Sequence, residues 1–140
     1  MAWHLASSPE IGRWVAAQMD GHFQENNASA IGLIRDGKIV AGVIYENCNG
    51  ASVVCHIAIK GKVNKSFLRV ICGYPAEALK VKKVIGPISS ANAKSIKIAK
   101  AIGFVEEARI TNAAPDGDLI LFTITAEQCR FLGDKKHGTW

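Results

Sequence analysis

The chain has 140 residues, 49% of them hydrophobic and 21% charged, and a formal net charge of +5. That length holds one domain with a core that needs no disulfide or metal staple, and no apolar run is long enough to span a bilayer. Disordered, collagen-like, disulfide-scaffold and membrane-spanning classes are excluded, and no basic segment precedes the first apolar residues as a secretory leader requires.

Ser8-Pro9-Glu10 followed by Ile11, Trp14, Val15 and Met19 predicts a capped helix closed at Gly21. Residues 22–29 are polar and read as a loop. Ala30–Arg35, Asp36-Gly37 and Lys38–Glu46 predict a strand, a two-residue turn and a strand. Asn49-Gly50 repeats the turn ahead of a third strand, Ser52–Ile59. The period then changes. A helix is expected from Ser66, with Pro75 kinking or breaking it. Val81–Ile88 reads as a strand, Ser90–Ala101 as a helix closed by Gly103, and Phe104–Thr111 as a strand. A turn at Pro115–Asp118 leads to a last strand, Leu119–Thr125, then a short helical piece over Ala126–Leu132. One domain over residues 1–132 and a polar tail over 133–140 are expected. The step from Ser52–Ile59 through a helix to Val81–Ile88 is a βαβ unit, so those strands should be parallel. The fold class is α/β (α+β), a mixed sheet of about six to seven strands with helices on both faces.

Charge is uneven. Residues 60–100 hold nine lysines and Arg69 against a single acid, Glu77, so the rest of the chain is net acidic. Such a basic pole suits a polyanion, either nucleic acid or a small molecule with several phosphates. Only Phe67 and Tyr74 in that segment offer rings for base stacking, which disfavours nucleic acid. Cys48, Cys55, Cys72 and Cys129 form no C-x-x-C and no zinc spacing with a histidine. They read as free thiols in a reducing, cytoplasmic compartment. No metal site is expected.

The run Ser89-Ser90-Ala91-Asn92-Ala93-Lys94-Ser95-Ile96-Lys97-Ile98-Ala99-Lys100-Ala101-Ile102-Gly103-Phe104-Val105-Glu106-Glu107 resembles a known signature. It is similar to the Asn-x-x-Ser-…-Leu-Gly-Phe-x-x-Glu-Gly motif of the GNAT superfamily of N-acetyltransferases. The resemblance is nearest to the ribosomal-protein N-terminal acetyltransferase branch and to small acetyltransferases of tailed phages. It continues through Pro115–Asp118 and Glu127–Arg130 and spans about residues 5–130. The resemblance implies acetyl-CoA as co-substrate and a primary amine as acceptor (a protein N-terminus, a lysine or a small amine) in the cytoplasm of a bacterial or phage-infected cell. It implies that the two parallel strands splay apart and admit the cofactor's pantetheine arm, beside Ile57, Ala58 and Ile59. The pyrophosphate loop would be Lys60-Gly61-Lys62-Val63-Asn64-Lys65-Ser66, with one glycine and three lysines where the family pattern has more glycine. Gly61, Lys62, Val63, Asn64, Lys65 and Ser66 would hold phosphate there through backbone N–H groups and charge. On the next helix Asn92 and Ser95 would meet the arm, and Lys97 the adenosine phosphates.

Acyl transfer from a thioester to an amine needs a neutral amine, and a lysine ammonium has a pKa of about 10.4. His56 or Glu46 is the expected base; a free imidazole, with a pKa of about 6.5, suits neutral pH. Carbonyl stabilisation would come from backbone N–H groups near Ile57–Ile59. The family's tyrosine acid falls at Ala99 here and is missing. Ser90, Tyr45 and Tyr74 are substitute donors. Asp20, Glu25 and Glu46 would make the acceptor side negative. A competing reading is a degenerate GNAT-fold binding protein that uses its basic pole for CoA or nucleic acid. A sheet-edge homodimer is a further possibility, and no membrane partner is expected.

Overall fold

The structure, a computed structural model, describes residues 3–19 and 28–131. Chain order is β1 (Trp3–Ala6), α1 (Pro9–Gln18), β2 (Ala28–Arg35), β3 (Lys38–Glu46), β4 (Ser52–Ile59), α2 (Lys65–Glu77), β5 (Lys83–Ser89), α3 (Ala93–Ile102), β6 (Val105–Ala114) and β7 (Gly117–Ile124). The strands form one seven-stranded mixed sheet in the order β1-β2-β3-β4-β5-β7-β6. All neighbours are antiparallel except β4 and β5, which are parallel as the βαβ reading requires.

Local chemistry explains most boundaries. The Ser8 hydroxyl caps α1 by accepting from Ile11 N, with Pro9 in the first turn. Asp36 and Gly37 both have positive φ, 51° and 82°, the twist that a two-residue hairpin turn needs. Asn49 Oδ1 accepts from the N–H groups of Ala51 and Ser52 and so closes the next turn.

Several expectations shift. β1 was not read from the sequence; it pairs along the outer side of β2, Trp3 opposite Arg35. Its four residues are too few to show a period. α2 starts at Lys65 because Asn64, not Ser66, is the cap, accepting from Phe67 N at 2.9 Å. α3 starts at Ala93 rather than Ser90, capped by Asn92 accepting from Ser95 N. β5 starts at Lys83, and β6 runs on to Ala114. Residues 126–131 are turns rather than a helix. Gly21, Asp20, Glu25, most of the 22–29 loop and the 133–140 tail lie outside the described residues.

Alternation along the strands sorts the core into two layers. Ile11, Val15 and Ala16 of α1 pack with Ala30, Ile44 and Ala58 on one face. Phe67, Ile71 and Cys72 of α2 and Ala99 and Ile102 of α3 pack with Val43, Tyr45, Val53, Cys55 and Phe122 on the other. Helices therefore cover both faces, as expected. α1 lies close to the sheet over the cross-strand pair Gly32 and Gly42. A Cβ at Gly42 would stand 2.5 Å from Val15 Cγ2.

Pro75 sits inside α2, yet the helix continues to Glu77. Proline removes the N–H that would bond the Ile71 carbonyl one turn back. The Tyr45 hydroxyl, reaching across from β3, donates to that carbonyl at 2.9 Å and shares its proton with the Val70 carbonyl. Tyr45 is 1% exposed, and burial pushes its phenol well above the ordinary tyrosine range. Tyr45→Phe orphans a buried carbonyl and should cost about 2 kcal/mol. In a Pro75→Ala background the cost should shrink, because the substituted residue supplies the missing N–H. A urea-unfolding double-mutant cycle measures the difference, and a zero coupling term would refute this account.

Candidate active site

β4 and β5 pair only at their N-terminal ends, Ser52 with Lys83, Val53 with Val84 and Val54 with Ile85. Beyond Val54, β4 stays with β3 as far as Ile59, while β5 stays with β7 as far as Ser89. The strands splay, so the facing edges of Cys55–Ile59 and Gly86–Ser89 have no cross-strand ladder. Pro87 fits here, because β5 is locally an edge. The gap is a cavity of about 600 Å³ at the carboxyl ends of parallel strands, where open α/β sheets bind ligands.

Residues from both faces of the sheet line it. From the α1 side come Gln18, Met19, Ile44, Glu46 and His56. From the α3 side come Asn92, Lys94, Ser95, Ile98, Ala99 and Phe104. The gap thus joins the two sides, and a donor and an acceptor can meet in it from opposite directions.

Strand register brings the expected base pair together. His56 lies opposite Ile44, and Glu46 is two residues further along β3 on the same face. His56 Nε2 and Glu46 Oε2 are 3.0 Å apart, each side chain about a quarter exposed (24% and 28%). A carboxylate oxygen accepts a ring N–H, so the contact suits a hydrogen on Nε2 and turns Nδ1 away from Glu46. The arrangement is an imidazole held against a carboxylate on the cavity wall.

Ile57, Ala58 and Ile59 line the cavity along β4, and Asn92 and Ser95 line it at the start of α3. Gly61, Lys62, Val63, Asn64, Lys65 and Ser66 do not line it; they follow directly on Ile59 and Lys60, which do. Val63 packs against the core, and the Asn64 side chain is used as the helix cap. The N–H groups of Lys65 and Ser66, in the first turn of α2, have no acceptor within the helix. Neither α2 nor α3 has an acid in its first turn. Both helix starts follow the splayed ends, so helix dipoles and lysines give that rim positive character. Lys97 is exposed and does not line the cavity. Lys94 does, and its Nζ donates to the Ile59 carbonyl at 3.2 Å, across the mouth of the splay.

Ser90 is displaced from the expected role. Its Oγ accepts from Asp118 N at 2.9 Å and its N–H donates to the Asp118 carbonyl, which pins the β5–α3 turn to β7. Ser90 does not line the cavity, although Ser89 does. Tyr45 and Tyr74 stack on each other, ring centroids 5.2 Å apart, and neither lines the cavity. Cys55 does line it, on the face opposite His56. Burial pushes its thiol up to about 12, so it stays protonated and is no nucleophile at neutral pH. Cys72 is raised as well, by its hydrogen bond with Cys129 and by burial. None of the four cysteines is in a disulfide, and no metal-binding cluster occurs among the described residues. Gln18, Met19, Gly86 and Phe104 were missed from the sequence, because nothing local marks an apolar or amide side chain as facing a gap between strands.

No family model matches the sequence, and no curated protein does. Solved structures match the fold. A spermidine N-acetyltransferase SpeG mutant from Vibrio cholerae superposes with TM-score 0.70 at 13% identity, covering 89% of this chain and 94% of that one. A GNAT family acetyltransferase from Elizabethkingia anophelis with acetyl-CoA bound gives 0.67 at 12% identity, covering 88% and 97%. The ribosomal-protein-S5-alanine acetyltransferase from Vibrio fischeri gives 0.62 at 19% identity, covering 76% of this chain and 66% of that one. Against this protein and a probable acetyltransferase, the chain spans just under two thirds of the other's length (66% and 62%). The mixed sheet with its one parallel pair has the fold of these acetyltransferase structures, the GNAT family member among them.

Proposed function

We propose that this chain is an acetyl-CoA-dependent N-acetyltransferase that moves an acetyl group directly to a primary amine. The observation that carries the reading is the splay cavity with His56 and Glu46 hydrogen-bonded on its α1 side and two acid-free helix starts at its other rim. Acetyl-CoA supplies an activated thioester carbonyl. The residues fit such a donor: an unpaired strand edge for an amide-bearing arm, polar Asn92 and Ser95, and free N–H groups with lysines for phosphates.

In this reading the free edge of β4 at Ile57, Ala58 and Ile59 orients the arm and the carbonyl by backbone hydrogen bonds. Gly61, Lys62, Val63, Asn64, Lys65 and Ser66 form the phosphate rim, where lysine charge replaces part of a glycine-rich cradle. Lys97 serves on that rim as an outer charge. The His56–Glu46 pair takes the proton that the amine loses on attack. The acceptor enters past Gln18 and Met19, and Glu46 favours a cationic amine such as a peptide N-terminus, a lysine or a small amine. With free cysteines and no helix long and apolar enough to cross a membrane among the described residues, a single catalytic domain over residues 1–132 in a cytoplasm suits the chemistry.

Isothermal titration with acetyl-CoA and with desulfo-CoA tests this. Micromolar binding of both is expected. No binding at millimolar ligand would overturn the reading and leave the basic pole to another polyanion.

A further inference from the structure

We infer that the part of the sheet face beyond α1 is the interface of a two-fold dimer, covered by the same face of a second copy of this chain. Cross-strand partners share a face. Ile85 and Val105 both stand opposite Thr123, Pro87 stands opposite Leu121, and Ile110 opposite Leu119. Ile85 also pairs with Val54, which by alternation shares the α1 side with Ala58. These residues therefore lie on the α1 side of β5, β7 and β6, whereas α1 itself packs over β2, β3 and β4.

Among the described residues, neither core layer includes Ile85, Pro87, Leu119, Leu121, Val105 or Ile110. Val105 and Ile110, at 46% and 47%, are the most exposed large apolar side chains described. A sheet buries an apolar face against another layer, and a contiguous apolar patch left open marks an interaction site. Three strands about 4.8 Å apart, each offering about six residues, make a patch about 15 Å by 20 Å. That suits the buried centre of a standard interface, and the exposed Thr111, Asn112 and Asp116 beside it supply a polar rim.

A second copy fits this face better than other occupants do. The free edge of β6 is guarded against strand addition. Its register shifts between Glu106 and Ala108 and again between Ile110 and Ala114, Asn112 has φ of 58°, and Glu106, Glu107 and Arg109 are charged. The partner therefore packs on the face, as two sheets do about 10 Å apart. The chain's own last residues start on the other side, because Phe131 packs against the α2–α3 core. Lys83, at one end of the face, is already held by Glu107 at 2.9 Å, so a polyanion finds little there. The lysine-bearing helices α2 and α3 pack on the opposite face, so two copies meet here without bringing those lysines together. A two-fold axis lets one patch cover the same patch of its partner. Pro87 also lines the cavity, so the second copy borders the splay.

The test is sedimentation equilibrium of the full chain, in reductant so that the exposed Cys48 forms no disulfide. The unmodified chain should sediment as a dimer at micromolar concentration. Ile110→Glu and Leu121→Glu each place a charge inside the interface and should raise the dimer Kd by about thirtyfold or more. Ile110 is exposed in the single chain, so Ile110→Glu should keep the fold, checked by circular dichroism, and Ile110→Val should keep the dimer. A monomer throughout the micromolar range would overturn the inference. Association that both glutamate variants leave intact would overturn it too, and would place the contact at a sheet edge or another surface. Both outcomes are read without acetyl-CoA and leave the acetyltransferase reading untouched.

Discussion

Glu46→Gln should lower the single-turnover rate of amine acetylation by about a hundredfold to a thousandfold, with the Kd for acetyl-CoA nearly unchanged. His56→Ala should do the same, and the double variant should be little worse than either single one, because the two groups act as a unit. The physical reason is the 3.0 Å contact between them on the cavity wall. The carboxylate fixes which ring nitrogen keeps its lone pair, and an amide in its place does not. Raising the pH should recover part of the lost rate, since a larger fraction of the amine is then already neutral. That partial recovery separates a base from a purely structural pair. Both variants at full rate with normal thermal stability would remove the pair from the mechanism.

The second large effect is on folding. Gly103→Ala should destabilise the chain by about 3 kcal/mol, read as a lower urea midpoint at unchanged slope. Gly103 has φ of 126°, which an L side chain rarely adopts, and a Cβ there would stand 2.3 Å from the carbonyl oxygen of Gln128. That oxygen is backbone and cannot rotate away as a side chain can. Gly103 also ends α3, donating to the Ala99 carbonyl, and it precedes Phe104, which lines the cavity. A milder substitution outcome, below about 0.5 kcal/mol, would mean that the 126–131 segment moves freely, contrary to the packing of Cys129, which is 1% exposed.

These two sites differ in how they can be read. Gly103-Phe104 is legible as a segment, because a helix stop followed by an aromatic is local chemistry and carried the family resemblance. His56 and Glu46 are legible singly as candidates, but they stand ten positions apart across a turn. Only the register of β3 on β4 makes them neighbours. Ser90 shows the reverse case. A serine at the end of a strand reads as a donor, yet Ser90 is pinned to Asp118 at the start of β7 and does not line the cavity. Asn64 and Ser66 are both good caps two residues apart, and local signals do not choose between them. In the folded chain Val63 packs against the core and Asn64, next to it, is the cap.

By itself the sequence determines the strand and helix periods, the two glycine turns, the parallel step and the basic segment 60–100, because each depends on residues close together in the chain. The tertiary structure alone decides where β4 parts from β5, which side chains then face the gap, and that Tyr45 stands in for the N–H missing at Pro75. Those outcomes depend on contacts between residues far apart in the chain, whose partners no local pattern names.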